Sequence, residues 1–237
     1  MSAQQQLAQV DDWAKVSRIV DGDTVHLTDG RKIRFIGINT PEIGRRGARS
    51  QPYARKAREA LVELLGRDKK IGLTYDKDKK DHYKRVLAYI NLPDGRSIEQ
   101  LLLAKGLAHS IVVPPNDARI QCYRRVEREA RDAQKGIWRL QENQWQNASQ
   151  LSKKSKGQRF VKGRITAYSE SRKSIYLQLS KKLAIRIAKK DRQYFPGLKL
   201  KNLVGKYVRV RGWVSTYKGR QSIAVRTAHD LIIPSTL

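Results

Sequence analysis

Between Ile19 and Glu42 the chain gathers oxygen donors, with Arg34, around a single turn. It reads Ile-Val-Asp-Gly-Asp-Thr-Val-His-Leu, then Asp29-Gly30 after Thr28, then Lys-Ile-Arg-Phe-Ile-Gly-Ile-Asn-Thr-Pro-Glu from Lys32. Asp-Gly between alternating apolar runs predicts a β-hairpin. A two-residue loop would set Val25 against Arg34 and spoil the apolar face. A three-residue loop, Asp29-Gly30-Arg31, sets Leu27 opposite Ile33 and Val25 opposite Phe35. Strand side chains alternate with period two, so this choice decides which face is apolar. Extended further, the register sets Asp23 opposite Gly37 and Asp21 opposite Asn39. Asp21, Asp23, Asn39, Thr40 and Glu42 then converge at one end of the hairpin. The set is hard and oxygen-only, with His26 nearby and no thiolate, which suits calcium or magnesium better than zinc or copper. Asp-Gly-Asp alone also serves as a polar turn whose carboxylates cap the backbone. Asn39-Thr40-Pro41-Glu42 brings in a further carboxylate, and converging carboxylates repel one another without a cation.

Val20-Asp21-Gly22-Asp23-Thr24, Arg34, Asn39-Thr40-Pro41-Glu42 and Asp81-His82-Tyr83-Lys84-Arg85, in this order, resemble the staphylococcal nuclease (thermonuclease) family over residues 15–139. The resemblance implies a five-stranded OB barrel with three helices. It implies calcium-dependent, sugar-nonspecific hydrolysis of DNA and RNA to products ending in 3′-phosphate, with magnesium or another divalent ion as the alternative. By the same resemblance Asp23, Asn39 and the Thr40 carbonyl are metal ligands, with Asp21 as a further candidate. Glu42 is the general base, and Arg34 and Arg85 are phosphate clamps. His82 and Tyr83 are candidate contacts to nucleic acid.

The residue types suit that chemistry. Phosphodiester hydrolysis needs an activated water and neutralisation of charge in the transition state. A divalent ion polarises the phosphate, a carboxylate within hydrogen-bond reach of water acts as base, and guanidiniums hold non-bridging oxygens. Three points resist the match. Asn39 stands where Asp is common. Hairpin parity puts Arg34 on the face opposite Asp23 unless Gly37 bulges the strand. Ile111 and Val113 stand where the staphylococcal enzyme has tyrosines against the nucleotide. The rival expectation is a non-catalytic nucleic-acid scaffold of the same fold.

The 237 residues carry 50 Lys and Arg against 22 Asp and Glu, a net charge of +28. Residues 1–140 hold 28 basic and 18 acidic side chains, and residues 141–237 hold 22 and 4. So positive a field favours a polyanion, and single-stranded DNA, RNA and duplex DNA are the expected partners of a monomer. No apolar run is long enough to span a bilayer. Cys122 is the only cysteine, which excludes an internal disulfide and a thiolate cluster. The first ten residues lack the basic and apolar regions of a signal peptide. A secreted or periplasmic protein with its signal already removed is the expectation, since such a nuclease endangers its own cell; the cytoplasm is the alternative.

The positioning elements follow from the apolar pattern. After an arm over 1–14, strands are predicted at 15–20, 23–28, 32–38, 70–75 and 84–91. Helices are predicted at 53–65, from Ser97 to Gly106, and from Asn116 to Ala133 on a stripe of Ile120, Tyr123, Val126, Ala130 and Ala133. The Gln/Ser/Lys-rich stretch 141–157 reads as a linker between a catalytic domain, 15–140, and a basic domain, 158–237. That second domain shows five strands with a short helical segment between the third and fourth, resembling an OB barrel. The fold class is therefore α+β, mainly β, with two small barrels in series. On the fourth strand of the second barrel Tyr207, Arg209, Arg211 and Trp213 alternate with Val208 and Val210. They are its candidate nucleic-acid contacts, offering charge and stacking together.

Overall fold

The computed structural model describes residues 10–234. Two compact units divide the chain, one up to Arg139 and one from Leu140. In the first, β1 (Asp12–Ile19), β2 (Thr24–Leu27), β3 (Lys32–Phe35), β5 (Lys70–Thr74) and β6 (Val86–Asn91) close a barrel in the order β1-β2-β3-β6-β5. β4 (Ile38–Asn39) and β7 (His109–Ser110) form a separate two-stranded ribbon. Three helices complete the unit: α1 (Ala54–Leu65), α2 (Ile98–Ala104) and α3 (Ile120–Asp132). The barrel is filled by the alternate residues that the pattern marks as apolar, among them Val25, Leu27, Ile33, Phe35, Ile71, Leu73 and Ile90. The helices add Ala57 and Leu61, Leu102 and Leu103, and Tyr123.

The hairpin keeps the expected apolar face with a register shifted by two residues. Val25 pairs with Ile33 and Thr24 with Arg34. The loop is Thr28-Asp29-Gly30, because its last position is left-handed and Gly30, at φ 87°, takes it without penalty. An even shift leaves the faces unchanged. Asp23 therefore lies opposite Phe35, whose N–H donates to the Asp23 carbonyl at 2.9 Å.

Other boundaries moved for local reasons. Residues 12–14, expected in the arm, pair with β5, while residues 1–9 of that arm lie outside the described residues. Ser97 caps α2 by accepting the Gln100 N–H at 3.3 Å. Asn116 does not open α3. Its side chain instead bridges Asp78, accepting from the Asp78 N–H and donating to the Asp78 carbonyl at 2.8 Å each. The stripe on α3 carries a buried Glu127, while Ala133 is exposed.

In the second unit β8 (Trp145–Asn147) is followed by β9 (Gly157–Arg164), β10 (Ala167–Glu170), β11 (Ser174–Gln178) and β12 (Leu183–Ala188). Two 3-10 turns then lead to β13 (Tyr207–Tyr217), β14 (Arg220–Ala224) and β15 (Leu231–Ile232). Strands pair along β10-β11-β12-β14-β13-β9-β8, with β12 and β14 parallel. β9 and β10 lie at opposite ends of the path from β10 to β9, yet only Ile165 and Thr166 separate them in sequence. The sheet thus curls back on itself, with the strand order of the first barrel. Val161, Leu177, Ile185, Val208, Val210, Val214 and Ile223 fill its interior. Residues 145–147, in the expected linker, are strand: Trp145 pairs with Phe160.

Candidate active site

Asp23 is the hub of the first unit's oxygen cluster. It is 2% exposed and sits just before β2. Its Oδ2 accepts from the Thr40 N–H at 2.7 Å and the Thr40 hydroxyl at 3.0 Å, and its Oδ1 accepts from the Thr24 hydroxyl at 3.1 Å. Asp21 accepts from the Asp23 N–H at 3.2 Å. Burial and the Asp23 carboxylate, with the Glu42 charge added, push the Asp21 carboxyl up to about 6. The negative charge expected at this end of the hairpin is thus present and under-neutralised.

Arg34 meets the cluster despite its parity. Asp23 precedes β2 and so is not bound by the strand's alternation, and Gly37, at φ 84°, turns the chain after β3 so that β4 returns Asn39 toward Arg34. The guanidinium donates to Asn39 Oδ1 at 3.0 Å and lies 3.0 Å from Asp23 Oδ1. A Cβ at Gly37 would stand 2.6 Å from the Tyr123 ring, so this turn also requires the absence of a side chain. Gly22 is constrained too, since a Cβ there would lie 2.8 Å from Thr40 Cγ2 and 2.9 Å from Ala57 Cβ. α1 therefore packs against the turn that carries both aspartates.

Asn39 is held from further away. It pairs with His109 in β7, and Ser110 in β7 donates its N–H to the buried Glu127 carboxylate at 2.7 Å. Arg124 donates to the Ser110 carbonyl and hydroxyl at 3.1 Å each. Glu127, Arg124 and Ser110 are positioning residues that sequence reasoning missed. Their only signal was a charged pair at i,i+3 within the apolar stripe of α3. Gln51 was missed as well. Its side chain accepts from the Glu42 N–H at 2.9 Å, and its own N–H donates to the Glu42 carbonyl at 3.0 Å. This pins both ends of the basic loop 43–50 beside Glu42, whose side chain is exposed.

Arg85 lies immediately before β6, not within it. The pairing of Arg34 with Leu87 sets Arg85 two positions earlier on the same sheet face as Arg34. Asp81 grips it, with Nε and Nη2 each 2.7 Å from Oδ2. Burial opposes ionisation of Asp81, but the hydrogen bonds from Arg85 and from the Tyr83 N–H hold its carboxyl below the usual range. A guanidinium has five N–H donors, so donors remain for a phosphate. Tyr83 is 69% exposed beside it, its ring 5.4 Å from the Arg85 guanidinium carbon and 3.8 Å from the His82 ring. Val113 is 49% exposed, and Ile111 is fixed through its N–H to the Gly37 carbonyl at 2.9 Å.

Among the described residues no three His, Cys, Asp or Glu side chains form a metal-holding group. The donor set nonetheless fits a hard divalent cation. It consists of the Asp21 and Asp23 carboxylates, the Asn39 amide oxygen and the Thr40 backbone, all oxygen. One guanidinium, Arg34, already touches both Asp23 and Asn39, so these two oxygens are within reach of a common positive charge.

The strip expected on β13 is broken. Tyr207, Arg209 and Trp213 are exposed, whereas Arg211 is only 3% exposed. Its guanidinium lies over the Phe160 ring at 4.7 Å, with Asp230 4.0 Å from its Nε. Arg209 lies 5.8 Å from the Trp145 ring, which is itself edge-on to Phe160. Trp145, on the edge strand β8, and Phe160 thus form an aromatic pair beside Arg209 and Arg211, and Arg211 is built into the packing.

The closed five-stranded barrel in the order β1-β2-β3-β6-β5, with helices, is an OB-type barrel. Residues 32–140 match the family described as Staphylococcal nuclease homologue. Over 128 residues the chain is 37% identical to the thermonuclease of Staphylococcus hyicus, covering 52% of this chain and 74% of that protein. It is 36% identical over 128 residues to endonuclease YncB and to SPbeta prophage-derived endonuclease YokF, both of Bacillus subtilis. The match covers 52% of this chain, 60% of YncB and 43% of YokF. The chain belongs to the staphylococcal nuclease family through its first unit.

Proposed function

We propose that the protein is a nuclease that hydrolyses phosphodiester bonds of DNA and RNA and depends on a divalent cation, calcium being the best fit. The observation that supports this reading is the meeting of Asp23 with Asp21, Thr40 and Arg34, and of Arg34 with Asn39, at one end of the barrel hairpin, with the Glu42 charge acting on Asp21. The names of its relatives, thermonuclease and endonuclease, support the reaction class. Asp23, Asn39 and the Thr40 carbonyl would hold the cation, with Asp21 beside them. When bound, the cation polarises the phosphate and offsets its charge. Glu42, exposed beside the cluster, accepts the proton of the attacking water. Arg34 and Arg85 hold the non-bridging oxygens through donors of planar, permanently charged guanidiniums. His82 and Tyr83 offer faces for the substrate next to Arg85. The second unit contributes binding of the polyanion, supported by its 22 basic against 4 acidic residues from 141 to 237.

The test is incubation of single-stranded DNA and RNA with calcium, with magnesium and with excess chelator. Cleavage of both strands with calcium and none with chelator is expected, with 3′-phosphate ends on the products. Full cleavage in chelator would remove the cation from the account. Tight binding without cleavage under any condition would favour the non-catalytic scaffold.

A further inference from the structure

The strand pairing of the second unit lines up one row of side chains across its sheet. Tyr176 on β11 pairs with Arg186 on β12, Arg186 with Ala224 on β14, and Ala224 with Trp213 on β13. Paired residues share a face, and their chain neighbours Ile175, Leu177, Ile185, Ile187, Ile223 and Val214 fill the core. The row therefore lies on the outer face. Trp213 is 57% exposed, and Tyr176, Arg186 and Ala224 are half-buried. Three strand spacings separate Tyr176 from Trp213, about 14 Å. The small Ala224 leaves a shallow floor beside Trp213. Aromatics so placed on a sheet can stack about two or three unpaired bases.

Charge is gathered at one end of this face. The turn joining β11 to β12 carries Lys181 and Lys182, and the turn joining β13 to β14 carries Lys218, with Arg220 just after it. The two turns are adjacent, since the Gln221 N–H donates to the Lys182 carbonyl at 3.1 Å. All four cations are exposed, and Tyr217 between them is 75% exposed. Three of the unit's four carboxylates face cations elsewhere: Glu170 with Lys189 at 2.6 Å, Asp191 with Arg226 at 3.5 Å, and Asp230 with Arg211 at 4.0 Å.

We infer that this outer face binds a single strand of nucleic acid, with bases on Tyr176 and Trp213 and phosphates toward Lys181, Lys182, Lys218 and Arg220. The inference deepens the binding role proposed for the second unit. It moves the contact from a strip along β13 to a row across four strands. A duplex keeps its base faces covered and cannot use the row in this way.

The test is fluorescence anisotropy of a labelled single-stranded DNA with the full chain in chelator, where affinity is read apart from cleavage. Trp213→Ala and Tyr176→Ala are each expected to weaken binding about tenfold or more, as loss of a stacking platform does. Tyr176→Phe keeps the ring and should bind like the parent. Tyr207→Ala, about 20 Å further along β13, should change affinity less than about twofold. Lys182→Gln and Lys218→Gln should flatten the salt dependence by about 0.7 log unit per decade for each phosphate that is no longer neutralised. Unchanged melting curves verify folding. Parent-like affinity of both alanine variants, or equal affinity for a duplex of the same sequence, overturns the inference. Cleavage of a dinucleotide with calcium reports separately on the first unit. Its failure in the parent chain would count against the nuclease reading and leave the binding result standing.

Discussion

At the scale of single residues the first unit is organised by charge that is brought together and incompletely cancelled. Asp23 takes hydrogen bonds from Thr24 and Thr40 and an ion pair from Arg34, yet its charge still helps to raise Asp21 to about 6. Asn39 contributes oxygen without charge. Asn39→Asp is expected to tighten calcium binding, because ligand charge helps set affinity. Calorimetry showing equal or weaker binding would mean that Asn39 does not touch the cation or that Asp21 already supplies the missing charge. Glu42→Gln and Arg85→Ala are expected to lower turnover at least about a hundredfold, the usual order for a positioned base or a charge-stabilising donor. Melting temperature should move little for Glu42→Gln, whose side chain is exposed. A large fall in melting temperature with turnover intact would identify these residues as structural. The meeting of Asp21, Asp23, Asn39 and Thr40 was legible in the sequence from the hairpin that joins them. The ion pair from Arg34 to Asp23 was not legible from hairpin parity, because Asp23 precedes β2 and escapes the strand's alternation; the bond from Arg34 to Asn39 was not, because it depends on the Gly37 turn beyond β3.

At the scale of elements, that turn and its supports decide the site. Gly37 bends the chain into β4, β4 pairs with β7, and α3 holds β7 through Glu127. Gly37→Ala forces a left-handed alanine against Tyr123, which should cost roughly 2 kcal/mol or more in stability. It should also weaken calcium binding by shifting Asn39; unchanged affinity in a folded variant would uncouple the turn from the site. The base of the barrel has its own titratable support. Glu99, fully buried in α2, accepts from the Ile90 N–H in β6 and from the Ser97 hydroxyl at 2.7 Å each. Burial raises its carboxyl from 4.5 to about 7, partly offset by Arg119. The native state then holds this proton more tightly than the unfolded chain. The resulting stability is full below 4.5 and is lost as pH rises through about 7. The shift corresponds to on the order of 3 kcal/mol. Urea unfolding across that window should show a decline in the parent that Glu99→Gln reduces, the remainder coming from Asp21, whose carboxyl is also raised, and parallel curves would reject it. The hairpin, the helices and the barrel strands were legible because the apolar period marks them. Register was misjudged by two residues because apolar alternation is unchanged by an even shift, and only the left-handed position of Gly30 distinguishes the two. Glu127 was illegible because a carboxylate in a charged helix reads as solvated.

Across the whole molecule, acidic and basic side chains are unevenly divided. The acidic cluster is in the first unit, and 22 of the 50 basic residues lie from 141 to 237 with only 4 acidic ones. The second barrel was legible from its alternating strands. The burial of Arg211 was not, because it rests on the Phe160 ring and on Asp230, which alternation along β13 does not reveal. Among the described residues no helix is long and apolar enough to cross a membrane. In the proposed nuclease, cleavage depends on a cation held by the cluster around Asp23. This role of the cation is tested most directly by the calcium dependence of single-strand cleavage in the full chain and in Asp23→Asn. The parent should saturate with calcium and stop in chelator. Asp23→Asn should need far more calcium or fail to cleave at any concentration, while still binding the strand in chelator. Superimposable calcium curves for the two proteins, or cleavage by the parent in chelator, would contradict the claim.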